Sequence, residues 1–182
     1  MKSLVVIING KPMSGKDKFV ELCGNYATVK NVSSIDLVKE AFRIMCYIKK
    51  SDEISKNDVT RRLMSMMKTM SIELNDAPFH YCRDEVVRFL EKHTGIIFVH
   101  IREAAEIAKL KEFVESYKEN HSELNFDLMT LKIEYDQSVE ADNPSDNDVD
   151  NYEYDMTLKN PGTEEAFDAM AKTFVEGTLS SF

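Results

Sequence analysis

Several features are scarce in this 182-residue chain, and each scarcity removes a class of protein. No apolar run approaches the roughly 20 residues that a membrane-spanning helix needs, and the stretch from Leu4 to Ile8 is too short for the apolar core of a secretory signal. The expectation is a soluble, cytoplasmic protein that spans no membrane. Cysteine is confined to Cys23, Cys46 and Cys82, an odd number without C-x-x-C spacing, which suggests neither a disulfide framework nor a zinc site. Their expected role is that of small apolar residues. Lys and Arg are absent between Ile133 and Leu158, a span holding nine acids, while the rest of the chain carries 23 acidic and 23 basic residues. The net charge of −9 is therefore local in origin. No basic face remains to follow a phosphate backbone, which argues against a nucleic-acid partner and leaves room for one small cationic pocket.

With 43% hydrophobic and 30% charged residues, the length suits a single domain over residues 1–182. The run SLVVIIN at 3–9 is continuous and rich in β-branched residues, the pattern of a parallel strand buried on both faces. Further strands are expected near 28–33, 95–101, 128–135 and 154–158. Between them, helical spacing recurs from Lys16, from a capping Asp36, over 58–74, after Pro78, from Glu103, and after a capping Thr163. Strands alternating with helices imply an α/β architecture with a parallel sheet covered on both sides. Residues 36–94 form a helical region and 136–151 an acidic, lid-like loop. In the 58–74 helix, Leu63, Met66, Met67, Met70 and Leu74 share one side. That stripe is expected to be core, with a methionine-lined ligand groove as the alternative.

Directly after the first strand stands GKPMSGKD at 10–17, in which Gly10, Gly15 and Lys16 satisfy G-x-x-x-x-G-K between a buried strand and a helix. Backbone N–H groups converge on a phosphate only where side chains do not block them, and glycines permit this. The helix beginning at Lys16 adds its positive end, and the Lys16 amine can reach between the β- and γ-phosphates. Asp17 stands where Ser or Thr normally offers a hydroxyl to Mg²⁺; its carboxylate is a hard oxygen ligand too, or else a plain first-turn acid favoured by the helix dipole.

The loop resembles the G-K-x-x-S-G-K-D sequence of a group of P-loop small-molecule kinases, which includes phage-type deoxynucleoside monophosphate kinases and animal-type phosphomevalonate kinases. The segments FVHIRE and YDMTLKNPGT fit the same layout. The resemblance implies a three-layer P-loop NTPase fold with a five-stranded parallel sheet and a helical substrate-binding insertion. It implies ATP and Mg²⁺ as cofactors, held by Gly10, Lys11, Ser14, Gly15, Lys16, Asp17 and Lys18, with Asp17 as the metal ligand. Asn160 and Gly162 would lie beside the adenine. A small phosphorylated acceptor, most simply a (deoxy)nucleoside monophosphate, would be clamped by Ser33, Ser34 and Asp36, by Arg61 and Arg62, and by Arg102. Arg102 leaves a strand at its carboxyl end, where ligands gather in open α/β sheets, and a guanidinium grips phosphate in two places. Lys16 and Arg102 are the expected catalytic pair. A homodimer is left open.

Three departures accompany the match. His100 occupies the place where many P-loop proteins carry an acid, and it is either a polar group of the site or a hydrogen-bonded core residue. Position 18 is Lys where a small hydroxyl residue is more usual. The lid-like loop offers no arginine; Lys132 and Lys159 flank it and are candidates to substitute, as are Lys11 and Lys18, although nothing in the sequence positions them. The alternative functions are therefore a phosphomevalonate-type metabolite kinase, or a nucleotide-binding module without transfer activity. Asp146, Asp148 and Asp150 have the spacing of a calcium loop start but lack its glycine and distal glutamate, so a solvated acidic loop is expected there.

Overall fold

SLVVIIN forms strand β1, Ser3–Asn9, and every one of its residues is buried. A computed structural model describes residues 2–55, 57–137 and 148–179. After β1 come α1 (Lys16–Cys23), β2 (Val29–Ser33), α2 (Asp36–Met45), α3 (Asp58–Asn75), α4 (Ala77–Lys92), β3 (Ile96–His100), α5 (Ala104–Asn120), β4 (Phe126–Glu134), a 3₁₀ turn (Asp148–Asn151), β5 (Met156–Lys159) and a last helix, here α6 (Glu164–Leu179). The five strands lie in the order β2-β3-β1-β4-β5, and every pairing is parallel.

The alternation of side chains along β1 explains why its run is apolar throughout. Leu4, Val6 and Ile8 face Phe19, Val20, Leu22 and Cys23 of α1 and Phe167, Ala171, Phe174 and Val175 of α6. Val5 and Ile7 face the other way, onto Cys82, Val86, Phe89 and Leu90 of α4 and Ile107, Leu110 and Val114 of α5. The result is a three-layer α/β sandwich with β1 at its centre. Phe19 anchors the first side: its ring lies 5.5 Å from that of Phe167 and 5.4 Å from that of Phe174. Cys23 and Cys82 are small core residues whose thiols burial pushes up to about 12, whereas Cys46, just past α2, is exposed and does not fill that role.

Element types agree with the pattern of the sequence, and the shifts have local causes. Asp36 is the first residue of α2 rather than its cap: its side chain turns back to accept the Ser33 amide at 2.8 Å. β5 begins at Met156 because Asp155 is otherwise engaged. Its carboxylate accepts the Thr130 amide at 2.7 Å and the Thr130 hydroxyl at 2.9 Å. Of the acidic loop, residues 138–147, including Asp146, lie outside the described residues. Asp148 and Asp150 are not simply solvated. Asp148 accepts the Ala104 amide at 2.7 Å, satisfying an unpaired donor of the first turn of α5.

The methionine stripe is the main correction. α3 buries no residue, and Met66 and Met70 are 56% and 66% exposed. The physical reason is that α4 takes the place on the sheet, so α3 packs mainly against α4 and α2. Within the helical region, α4 belongs to the sandwich while α3 stands outside it.

Candidate phosphate-binding site

Parallel register brings the carboxyl ends of four strands to one edge. Ile8 pairs with His100, His100 with Ser33, and Asn9 with Lys132. Asn9 ties this edge together: its side-chain oxygen accepts the Gly10 amide at 2.8 Å, and its amide nitrogen donates to the Arg102 carbonyl at 3.1 Å and the Tyr154 hydroxyl at 2.8 Å. Tyr154 in turn donates to the Val149 carbonyl at 3.0 Å.

The loop from Gly10 to Lys16 depends on its glycines. A Cβ on Gly10 would stand 2.5 Å from both the Ile133 carbonyl oxygen and Ser14 Oγ. Gly15 has φ of 90° as it enters α1, and a Cβ there would stand 2.5 Å from Asn160 Nδ2. Ser14 N donates to the Lys11 carbonyl at 3.1 Å, which rounds the loop, and Asn160 Nδ2 donates to the Ser14 carbonyl at 3.0 Å. Asn160 also accepts the Gly162 amide at 2.9 Å, so its side chain joins the turn after β5 to the loop. Ser14 Oγ is buried and has no hydrogen-bond partner among the described residues. A buried hydroxyl left unpaired is costly, and a loop built around one is arranged for a polar ligand.

His100 is 8% exposed; its Nε2 is buried without a partner, and its Nδ1 lies 3.7 Å from Asp17 Oδ1. The core reading with satisfied hydrogen bonds therefore does not hold, and the ring is a polar group of the edge. Burial, offset in part by Asp17, lowers its pKa to about 4, so the imidazole is neutral at pH 7. Asp17 projects from the first turn of α1 with its side chain 82% exposed.

Of the residues expected to hold an acceptor, Ser33, Ser34 and Asp36 stand at the end of β2 and the start of α2 at this same edge, and Ser34 N donates to the His100 carbonyl at 3.2 Å. Arg102 follows β3 and is half-buried. Arg61 and Arg62 are exposed, and neither guanidinium forms an ion pair or hydrogen bond with another described residue. Lys68 is the cation that sequence reasoning missed. With Ser34, Ile72, Phe79, Cys82, Ile101 and Glu106 it borders a small cavity, and its amine lies 2.6 Å from Glu103. A lone lysine among methionines on a helix was the available signal.

Of the lysines near the loop, Lys18 pairs with Glu21 and with Glu164 of α6. Lys11 and Lys132 both hold Asp150 at 2.8 Å, and Lys132 also holds Glu134 at 2.7 Å. These groups line a cavity of about 170 Å³ beside the loop. The two lysines keep the Asp150 carboxyl below its usual range. Lys159 pairs with Asp136.

A parallel five-stranded sheet between helical layers, with a glycine loop joining its central strand to α1, is the P-loop α/β fold. Among solved structures, a candidate kinase from Chloroflexus aurantiacus j-10-fl is similar with a TM-score of 0.55 at 11% identity, over 100% of this chain and 98% of its own. A sugar kinase from Janibacter sp. HTCC2649 scores 0.45 at 10% identity, over 99% and 95%. An APS kinase from Mycobacterium tuberculosis scores 0.42 at 13%, over 98% of each chain. No protein-family model and no curated protein matches the sequence. Likeness at these identities speaks for the fold alone.

Proposed function

We propose that the chain is an ATP-dependent phosphotransferase that acts on a small phosphorylated acceptor, most simply a (deoxy)nucleoside monophosphate. The observation that carries this reading is the glycine loop itself. Gly10 and Gly15 have no room for a Cβ, Ser14 Oγ is buried and unpartnered within the bend, and Lys16 opens the helix that follows. A phosphate cradle requires amides that side chains do not block, a positive helix end and a nearby ammonium, and the glycines, the start of α1 and Lys16 supply the elements for these.

The donor set fits Mg²⁺ as well. Asp17 offers a hard carboxylate at the mouth of the loop, and Ser14 an unused hydroxyl close behind it. The metal ion, when bound, neutralises charge on the phosphates. The chain's own residues do the rest. Lys16 and the loop amides orient the γ-phosphoryl group. Ser33, Ser34, Asp36 and Arg102 position the acceptor, with Arg102 gripping its phosphate. An acceptor phosphate oxygen forms the new bond to the γ-phosphorus as the bond from γ-phosphorus to the bridging oxygen breaks, and that oxygen leaves with the electron pair as part of ADP. No side chain has to remove a proton, because the acceptor phosphate is already ionised.

One observation favours a second reading, a nucleotide-binding module without transfer. The Asp150 carboxylate sits on Lys11 and Lys132, the two cations best placed to replace the missing lid arginines. Incubation with Mg·ATP and a panel of ribo- and deoxyribonucleoside monophosphates plus phosphomevalonate, followed by ADP measurement, separates the two. Acceptor-dependent ADP supports the phosphotransferase and identifies its acceptor; calorimetric ATP binding with no ADP on any acceptor supports the module. Absence of ATP binding overturns both.

A further inference from the structure

α3 carries apolar residues around more of its circumference than a surface helix needs. Such helices bury their apolar stripe and expose the polar one. Here the half-buried side carries Leu63, Met64, Met67, Lys68, Ser71 and Ile72, while Val59, Met66, Met70 and Leu74 are 56%, 56%, 66% and 84% exposed. At about 100° per residue, Val59, Leu63, Met66, Met67, Met70 and Leu74 form one continuous stripe, nearly opposite Lys68. The stripe runs most of the length of an 18-residue helix, about 27 Å. Its helix is secured independently by a capping box in which Asn57 and Thr60 satisfy each other's amides.

The acceptor does not cover this stripe, because the cavity beside Ser34, Phe79 and Glu106 is bordered by Lys68 and Ile72 on the other face. An anionic membrane surface is disfavoured by a net charge of −9. A second copy is favoured by the pattern itself. The six apolar positions are a palindrome about the midpoint between Met66 and Met67: Val59 mirrors Leu74, Leu63 mirrors Met70, and Met66 mirrors Met67. A palindromic stripe is self-complementary under an antiparallel two-fold, the isologous arrangement most soluble dimers adopt. The charges agree. Arg61 and Arg62 stand near the amino end and Glu73 near the carboxyl end, so antiparallel pairing sets Arg62 of each copy beside Glu73 of the other and opposes the helix dipoles. α2, packed against α3, adds exposed Ile44, Met45 and Tyr47 to the apolar surface of this region.

We infer that α3 is a homodimer interface, with two copies of the helix crossing antiparallel near Met66 and Met67. The dimer stands independently of the phosphotransfer chemistry. Its test is sedimentation velocity, or light scattering on a sizing column, over a wide range of protein concentration. A concentration-dependent dimer is expected, with Met66→Glu/Met70→Glu monomeric at every concentration and unchanged in far-ultraviolet circular dichroism. Arg62→Glu should weaken the dimer roughly tenfold, since the two-fold repeats the repulsion twice, and Arg62→Glu/Glu73→Arg should restore it. A wild-type monomer throughout overturns the inference, even one that binds some other protein. So does a dimer indifferent to the methionine changes, and failure of the charge swap to restore association overturns the antiparallel register.

Discussion

The two sides of the sheet's carboxyl edge are made differently. On the loop side, backbone geometry does the positioning. Gly10 and Gly15 admit no side chain, Asn160 braces the Ser14 carbonyl, and Phe19, Phe167 and Phe174 pack behind. On the other side, Ser33, Ser34 and Arg102 stand at or just past the ends of β2 and β3, and Lys68 reaches in from a helix with no buried residue, held by Glu103. The difference teaches where rigidity and adaptability reside. Under the proposed phosphotransfer, a phosphate chain common to all nucleotides suits a fixed cradle, whereas acceptors that differ suit side chains that can be re-aimed.

The contrast is sharpest in stability. Phe19→Ala should cost about 3–5 kcal/mol in denaturant unfolding, as large aromatic truncations in cores do. Met70→Ala, measured at dilution where α3 is unpaired, should change stability by no more than about 0.5 kcal/mol. Comparable losses from both would erase the distinction. Next in size is Lys16→Ala, which should weaken ATP binding by about 1.5–3 kcal/mol, the worth of a charge-assisted hydrogen bond, without altering the unfolding midpoint. Unchanged calorimetric affinity would break the assignment of the loop. Arg102→Ala and Lys68→Ala should each raise the acceptor KM roughly tenfold and leave the ATP KM alone; equal losses for both substrates would move those residues out of the acceptor side.

The smallest effect concerns pH. Burial pushes the Asp155 carboxyl up, but the Thr130 amide and hydroxyl and Lys111 outweigh it, and the group stays below its usual range. A depressed carboxyl contributes stability above its unfolded pKa and loses it as pH falls through the folded one. Asp155→Ala should therefore cost about 1 kcal/mol at neutral pH, a gap that closes in acid. A cost that persists at low pH would assign Asp155 a packing role instead.

What the sequence revealed follows the same division. The loop was legible because glycine spacing, a buried strand before it and a helix after it are adjacent in the chain. The sandwich was legible because β1 is apolar at every position from Leu4 to Ile8, which burial on both faces explains. The direction of α3 was not. Periodicity reports that a helix has an apolar side, and it is silent on whether α4 or α3 receives the sheet. Lys68 stayed hidden for that reason, since its contact with Glu103 depends on which side turns inward. Asp148 and Asp150 read as solvent-facing acids because their partners, Ala104, Lys11 and Lys132, are distant in sequence. Asn160 was placed near the nucleotide by its turn, but its hold on the Ser14 carbonyl spans 146 residues and left no local trace.

That long span bears on how the protein is made. β1 precedes its sheet neighbours β3 and β4, at Ile96–His100 and Phe126–Glu134, by many residues, and the clamp on its loop is Asn160. A nascent chain halted before that residue carries the glycine loop without its brace and without the α6 rings that back Phe19. The pairing of β1 with β3 and β4 joins distant parts of the chain, and such contacts form late and slowly. The glycine loop would then reach its braced shape only once β5 and α6 have docked.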